Sequence, residues 1–530
     1  MNMKPLALAL AGALAAPAAL ANIAPLTVPG VQMIVMSSSS DHDGFIDGMV
    51  KGMLGSATIK TYRDNAHATL AFRHRAWYGL AASGIPGVTA GTPILFVQNA
   101  KGGSGIGSVA RAERRESLDF SRCLVGGTVA ADGGKTYDYF CPTKGLDPDS
   151  PNFANPVLNQ GYLSHFGVSS MSPALFKGPY NVEFGQTQLS PAELSKLTIK
   201  PANTAIMGIV ATNEVPLSTV ITPADYGNML MGNIQDWTQI YDKNYDGVND
   251  FDDSAVSGNT NVVVCRRVNG SGIQAAYNWF FNNFPCASAF SGSTAPASMG
   301  VNGSGGDNAS GIVSGSGTQA NPFIIDPFGD TGGGYGVVYV VVNNSTSGDV
   351  RNCLKNAQNH TDHLIQGDDG YWYVTKFSNS DNPFKAIGIL SGDSYGSENG
   401  WTFRNLDGAG SFAPATQTGS VDATGIAPSK ANLLSGAWAF AVELSMYYPN
   451  ATVTNPQGDV IAPLAGTKKA FVDELIKRSG NPAWIAANSK KNVYAALPDF
   501  YDAFANATNG AHVALGSHQG NMCRPLMRKF

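Results

Sequence analysis

Cys265 to Phe281, CRRVNGSGIQAAYNWFF, sets two arginines and an Asn-Gly-Ser-Gly turn between two apolar patterns. The preceding Asn261-Val-Val-Val264 reads as a short buried strand, and from Gln274 the residues Ala275, Ala276, Trp279 and Phe280 recur at helical spacing. The unit is a strand, a Gly-rich turn and a helix N-terminus. Unpaired N–H groups and the positive end of the helix dipole make such a terminus an anion site. Gly270 and Gly272 let a ligand approach the backbone, Ser271 adds a hydroxyl, and Arg267 supplies a forked, permanent charge. The same spacing also suits an ordinary turn, with Ser271 as a helix cap and both arginines in solvent.

Outward from this stretch the pattern repeats. VQMIVMSSSSDHDGF (31–45) is an apolar strand running into serines, TPILFVQNAKGGSGIGSVA (92–110) reaches Gly102-Gly103-Ser104-Gly105, and YLSHFGVSS (162–170) ends on Ser169 and Ser170. Recurrent strand, hydroxyl-rich turn and helix predict α/β layers with helix N-termini gathered at the strands' C-terminal ends. His42 and His165 lie near two of these turns, yet no acid-His-Ser order stands out, so an enzyme is disfavoured. Asp41 and Asp43 read most simply as caps of the following helix. GVVYVVVNN (336–344) is a further strand. ANLLSGAWAFAVELSMYY (431–448) and KKAFVDELIKRSG (468–480) read as amphipathic helices, Gly480 closing the second. His360 and His363 in NHTDH read as a solvated helix surface rather than a metal pair.

The chain of 530 residues is long enough for two or three domains. Residues 1–21, MNMKPLALALAGALAAPAALA, read as a secretory signal peptide cut after Ala21. No later apolar stretch is long enough to span a membrane, so the expectation is a soluble bacterial protein of the periplasm or medium. Cys123, Cys141, Cys265, Cys286, Cys353 and Cys523 fit an oxidising compartment. Local pairing favours Cys123 with Cys141 and Cys265 with Cys286, leaving Cys353 for Cys523, among the other pairings possible. A net charge of -5 without a basic face speaks against nucleic acid. Residues 287–334, rich in Ser and Gly, read as a surface excursion or small β insertion.

DKNYDGVNDFDD (242–253) has the spacing of a calcium loop. Asp242, Asn244, Asp246, Asp250 and Asp253 occupy the oxygen-donor positions, Gly247 the bend, and Val248 offers a carbonyl. Asp253 stands where a longer Glu is usual. A structural Ca2+ ion is expected, the alternative being an Asp/Asn/Gly turn without metal.

TAIMGIVATNEVP (204–216), ITPADYGNMLMGNIQDWTQI (221–240) and VVVCRRVNGSGIQAAYNWFF (262–281) together resemble the central portion of periplasmic phosphate-binding proteins, the receptors of ABC importers. Tyr226, Met229, Leu230, Gly232, Ile234 and Trp237 match the family's helix pattern, and Arg267, Ser271, Gly272 and Ile273 its R-x-x-G-S-G-T turn. FKAIGILS (384–391) resembles a later strand and WTFRNLDG (401–408) the return crossing. The resemblance implies a type II periplasmic binding protein fold: two α/β lobes, two crossing segments and a ligand cleft between them. It implies lobe I at 22–210 plus 401–530 and lobe II at 211–400, which carries the calcium-type loop and the excursion. By the same resemblance Ser38, Ser39, Ser104, Gly105 and Ser170 line the cleft from the first lobe, and Arg267, Ser271, Gly272 and Ile273 from the second. The family's G-x-S-D reads Gly167-Val168-Ser169-Ser170 here, removing a carboxylate that accepts the proton of phosphate. Ile273 replaces a threonine and removes a hydroxyl donor. The function implied is binding, not catalysis: a monomer that takes phosphate or a related oxyanion, with an ABC permease as its implied partner. The alternative is a secreted, calcium-stabilised binding or structural module with altered or lost phosphate binding.

Overall fold

The computed structural model describes residues 25–55, 57, 59–64, 73–99, 105–145, 161–178, 181–183, 185–240, 259–287, 312–327, 339–367, 370–413, 418–419, 424–489, 491–498 and 512–528. In chain order the elements that matter here are β1 (Gln32–Ser38), α1 (Asp43–Met53), β2 (Lys60–Asp64), β3 (His74–Leu80), β4 (Pro93–Asn99), α2 (Ile106–Ala110) and β5 (Phe166–Ser169). Then come β6 (Leu197–Thr212), α3 (Pro223–Leu230), β7 (Asn259–Arg267), α4 (Gly272–Asn282), β8 (Tyr339–Asn344) and α5 (Ser347–Gln358). β9 (Phe384–Ser391), β10 (Trp401–Arg404), β11 (Ala441–Pro449), α6 (Gly466–Ser479) and β12 (Tyr494–Ala496) complete them.

Strand pairing repeats one pattern twice. In the first half β4 and β5 flank β1 in parallel, and β11 lies antiparallel to β5. The first part of β6 then lies antiparallel to β11, giving the order β4-β1-β5-β11-β6. In the second half β8 and β9 flank β7 in parallel, β6 lies antiparallel to β9 and β10 antiparallel to β6. That order is β8-β7-β9-β6-β10. The 16-residue β6 belongs to both halves: Leu197 to Ile206 register on β11 and Met207 to Ala211 on β9. A first strand in the centre, an inserted antiparallel strand before the last, and a strand shared by both sheets define the two α/β lobes of the type II periplasmic binding fold. Runs such as Val262-Val263-Val264 and Val340-Val341-Val342 are buried on both faces, as parallel strands covered by helices require.

Several expectations are corrected. WTFRNLDG is not the return crossing: Trp401, Thr402 and Phe403 pair with Thr212, Ala211 and Val210, which makes β10 the last strand of the second sheet, and the chain returns only before β11. Residues 431–448 are not one helix; a short helix, Lys430–Ser435, stops at Gly436 in the left-handed conformation (φ 76°), and β11 follows. Buried on both faces, β11 shows an apolar run that periodicity cannot tell from a buried helix. The cysteines pair Cys123–Cys141, Cys265–Cys353 and Cys286–Cys523. Cys265 is near the C-terminal end of β7, while Cys286 follows α4, whose 11 residues carry the chain roughly 16 Å away. Cys353, in α5 across β7, is the residue within reach. His363 is not on a helix surface but buried in the strand His363–Gln366. Within 287–334, Ile312–Ser314 and Phe323–Ile325 form strands that join those at His363–Gln366 and Trp372–Thr375 in a separate four-stranded sheet. The signal peptide (1–21), the calcium-type loop (242–253) and Ser104 lie outside the described residues.

Candidate oxyanion site

The turns after β1, β5, β7 and β8 converge, because parallel strands deliver all their C-terminal ends to one crevice. Arg267, the last residue of β7, is buried and held at three places. Its Nε donates to Asn344 O (3.1 Å), Nη2 to Ser345 O (2.8 Å) and Nη1 to Ser347 Oγ (3.4 Å). The β8–α5 turn thus orients the guanidinium. At the head of α5, Thr346 and Asp349 form a capping box, and the Ser347 N–H donates to Ser40 Oγ from the first lobe (2.8 Å).

Ser271 caps α4, its hydroxyl accepting from Gln274 N (3.0 Å). Gly272 follows, and a Cβ there would fall 2.6 Å from Ser170 Oγ and 2.7 Å from Asp41 Oδ2. Only glycine lets the start of α4 come this close to the first lobe. Ile273 turns its side chain into the core.

Ser38 Oγ accepts from Gln98 Nε2 (2.9 Å), whereas the buried Ser39 hydroxyl has no partner among the described residues. Gly105 adopts φ 67°, fits over Ser37, and gives its N–H to Glu183 Oε1 (2.9 Å). One of the expected anion donors is therefore held by the chain's own carboxylate.

Asp41 and Asp43 do not cap α1. Asp43 bonds Gln98 Nε2 (2.8 Å) and lies 3.5 Å from Arg75 Nη2, while the Phe45 N–H is taken by Asp393 Oδ2 of the second lobe (3.0 Å). Asp41 is fully buried, and neither carboxylate oxygen has a hydrogen-bond partner among the described residues. Burial raises its pKa to about 6, opposed by Arg267 and by its own backbone N–H. His42 Nε2 lies 3.1 Å from Ser170 Oγ and Nδ1 lies 3.2 Å from the Tyr494 hydroxyl. Burial lowers its pKa to about 4 against the nearby Asp393, so the ring is neutral at pH 7. Burial also keeps Tyr494 protonated, helped by the negative charge of the nearby Asp393.

The structure therefore gathers Ser170, Arg267, Ser271 and Gly272 with Asp41 and His42 around the start of α4, and the buried Ser39 lies two residues before Asp41. It adds Asn344, Ser345 and Ser347, which the sequence reading passed over. Their signal was the one used elsewhere: an apolar strand running into Asn-Asn-Ser-Thr-Ser-Gly.

Solved structures similar to this chain are phosphate-binding proteins. PfluDING, a high-affinity periplasmic phosphate-binding protein, is 14% identical over 90% of this chain and 93% of its own, with a TM-score of 0.36. A phosphate-binding protein from Stenotrophomonas maltophilia is 10% identical over 86% and 89%, with a TM-score of 0.34. PstS from Borrelia burgdorferi is 9% identical over 86% and 97%, with a TM-score of 0.30. No family model and no curated relative matches the chain. The strand order, found once in each lobe, defines the class on its own: a type II periplasmic binding fold. Among the described residues no helix is long and apolar enough to cross a membrane.

Proposed function

We propose that this protein is an exported solute-binding protein that encloses phosphate or a related oxyanion between its lobes, for uptake through an ABC permease or capture at the cell surface. One observation carries the reading: Gly272 brings the N-terminus of α4 against Ser170 and Asp41 of the other lobe, beside a buried, oriented Arg267. Main-chain N–H groups of the first turn, the Ser39 hydroxyl and the guanidinium would bind the anion without a basic surface. Charge-assisted hydrogen bonds of this kind each contribute roughly 1.5–3 kcal/mol net. The Ser271 hydroxyl caps α4 and the Ser347 hydroxyl accepts from Arg267, a use of serines that favours binding over catalysis. Three disulfides fit an oxidising compartment, in accord with a signal peptide at 1–21. We place a structural Ca2+ at 242–253.

The second reading, a calcium-stabilised module without phosphate binding, is favoured by Glu183, which occupies the Gly105 N–H. Isothermal titration separates the two. Mature protein is unfolded, stripped of ligand, refolded with calcium and titrated with phosphate. Saturable heat that falls at least tenfold in affinity in Arg267→Ala is expected from loss of charge-assisted bonds of about 1.5–3 kcal/mol. Absence of heat in the wild type would leave the second reading.

A further inference from the structure

α4 touches the first lobe at both of its ends. Its start lies against Ser170 and Asp41 through Gly272, and its far end, roughly 16 Å away, meets the C-terminal segment 512–528. That segment is bound to the first sheet: Val513 bridges to Ala496 of β12, the Ala514 N–H donates to Ala496 O (3.0 Å), and the Gly520 N–H donates to Glu443 Oε2 of β11 (2.6 Å). Against it, the Trp279 indole N–H donates to Met522 O (2.8 Å), and Cys286, just past α4, is bonded to Cys523. The other two disulfides each stay within one lobe, Cys123–Cys141 in the first and Cys265–Cys353 between β7 and α5 of the second.

Phe281, two residues after Trp279 and so on another face of the helix, packs on Phe440 with ring centres 5.2 Å apart. Phe440 O accepts from the N–H of Met207 (3.0 Å), where β6 passes from one sheet to the other, so the two crossings lie side by side there. Crossings so placed leave the lobes free to bend and twist about them. A third covalent link, across the end of α4 from Phe440, restrains that motion. It is also the link a reductant can reach: Cys523 is exposed and Cys286 half-buried, whereas Cys123, Cys141, Cys265 and Cys353 are buried.

We propose that Cys286–Cys523 is a redox-sensitive staple between the lobes, holding them to a narrow range of opening until an external dithiol reduces it. A thiolate of the dithiol attacks Cys523 Sγ, and the S–S bond breaks with its electron pair passing to Cys286 Sγ, which takes up a proton. The second thiol of the reductant then displaces Cys523 from the mixed disulfide, leaving two cysteine thiols and an oxidised dithiol. Freed of the staple, the lobes separate further and the anion exchanges faster. Faster exchange rests on the oxyanion reading above, whereas wider opening does not.

Mature wild type, before and after dithiothreitol, is compared with Cys286→Ser/Cys523→Ser and with Cys123→Ser/Cys141→Ser. Small-angle scattering is recorded without ligand, and release of bound radiolabelled inorganic phosphate is followed by chase. Peptide mapping should find the 286–523 link opened while the other two persist. Reduced wild type and Cys286→Ser/Cys523→Ser should both show a larger radius of gyration and release phosphate several-fold faster, and Cys123→Ser/Cys141→Ser should match oxidised wild type. An unchanged radius of gyration in Cys286→Ser/Cys523→Ser, or earlier opening of either buried disulfide, overturns the staple. A protein that binds no phosphate yet widens on reduction removes the oxyanion reading and keeps the staple. Should Cys286→Ser/Cys523→Ser fail to fold, the reduced wild type decides.

Discussion

His363 is buried at the start of its strand, where Nε2 lies 2.9 Å from Asn344 Oδ1 and Nδ1 3.3 Å from Asn356 Nδ2. Nε2–H therefore donates and Nδ1 accepts, a pattern that only the neutral ring satisfies. Burial lowers its pKa to about 3. With the folded pKa below the unfolded value, the contribution is complete above about pH 6.5 and is lost as pH falls toward 3. His42 and His165, both lowered to about 4, act in the same sense, while Asp41 and Asp43, raised to about 6, act oppositely between pH 6 and 4. Comparing urea stability at pH 7 and pH 5 in wild type and His363→Gln isolates one group. The variant should lose about 2 kcal/mol less on acidification; equal losses would mean that the buried ring is not held neutral. At this scale Arg267, Ser271 and Gly272 were legible because strand, turn and helix follow one another in 265–281. The surroundings of Asp41 were not: His42 meets Ser170 and Tyr494 only in the folded chain, and Asp41 looks like a helix cap until Asp393 of the second lobe takes the Phe45 N–H.

Among elements, sequence proximity was a sound guide only where the chain doubles back at once. Cys123 and Cys141 meet within a local excursion whose strands Leu124–Val125 and Tyr139–Cys141 pair directly. Cys265 and Cys286 are separated by a whole helix, so strand-to-helix packing decides instead, and Cys265 joins Cys353 across 88 residues. Strand β11 failed for a related reason, since a strand covered on both faces lacks the alternation that marks a half-exposed one. β6 was readable as a hinge strand, yet its double membership depends on β11, which lies more than two hundred residues further along. The long loop closed by Cys265–Cys353 makes its energetic effect testable. Replacing both cysteines by alanine should lower the unfolding free energy by about 2–5 kcal/mol, the larger values following from loop length, and peptide mapping should recover the 265–353 link in wild type. Recovery of a 265–286 link would contradict the packing of α5 on β7.

On the scale of the molecule, the calcium ion proposed at 242–253 would bear on how the second lobe is held. Its two ends are already tied: the Asp236–Asn261 bridge and the Thr260 hydroxyl on Asp236 Oδ2 (2.9 Å) join the segment before 242–253 to β7, which carries Arg267. On the entering side Trp237 is buried, its Nε1 donating to Lys385 O of β9 (2.8 Å). A cation gathering Asp242, Asn244, Asp246, Asp250 and Asp253 would close a loop whose stem is part of the second sheet, so its binding energy would stabilise that lobe rather than touch the anion. At a free calcium concentration one hundred times Kd the gain is about 2.7 kcal/mol. Thermal unfolding followed with excess calcium and with EGTA should therefore differ by several degrees in wild type, and by nothing in Asp246→Ala. Anion affinity at a temperature where both forms are folded should change little. A melting temperature indifferent to EGTA would return 242–253 to an Asp/Asn/Gly turn, whereas a calcium-dependent anion affinity would mean that the loop reaches Arg267 through β7.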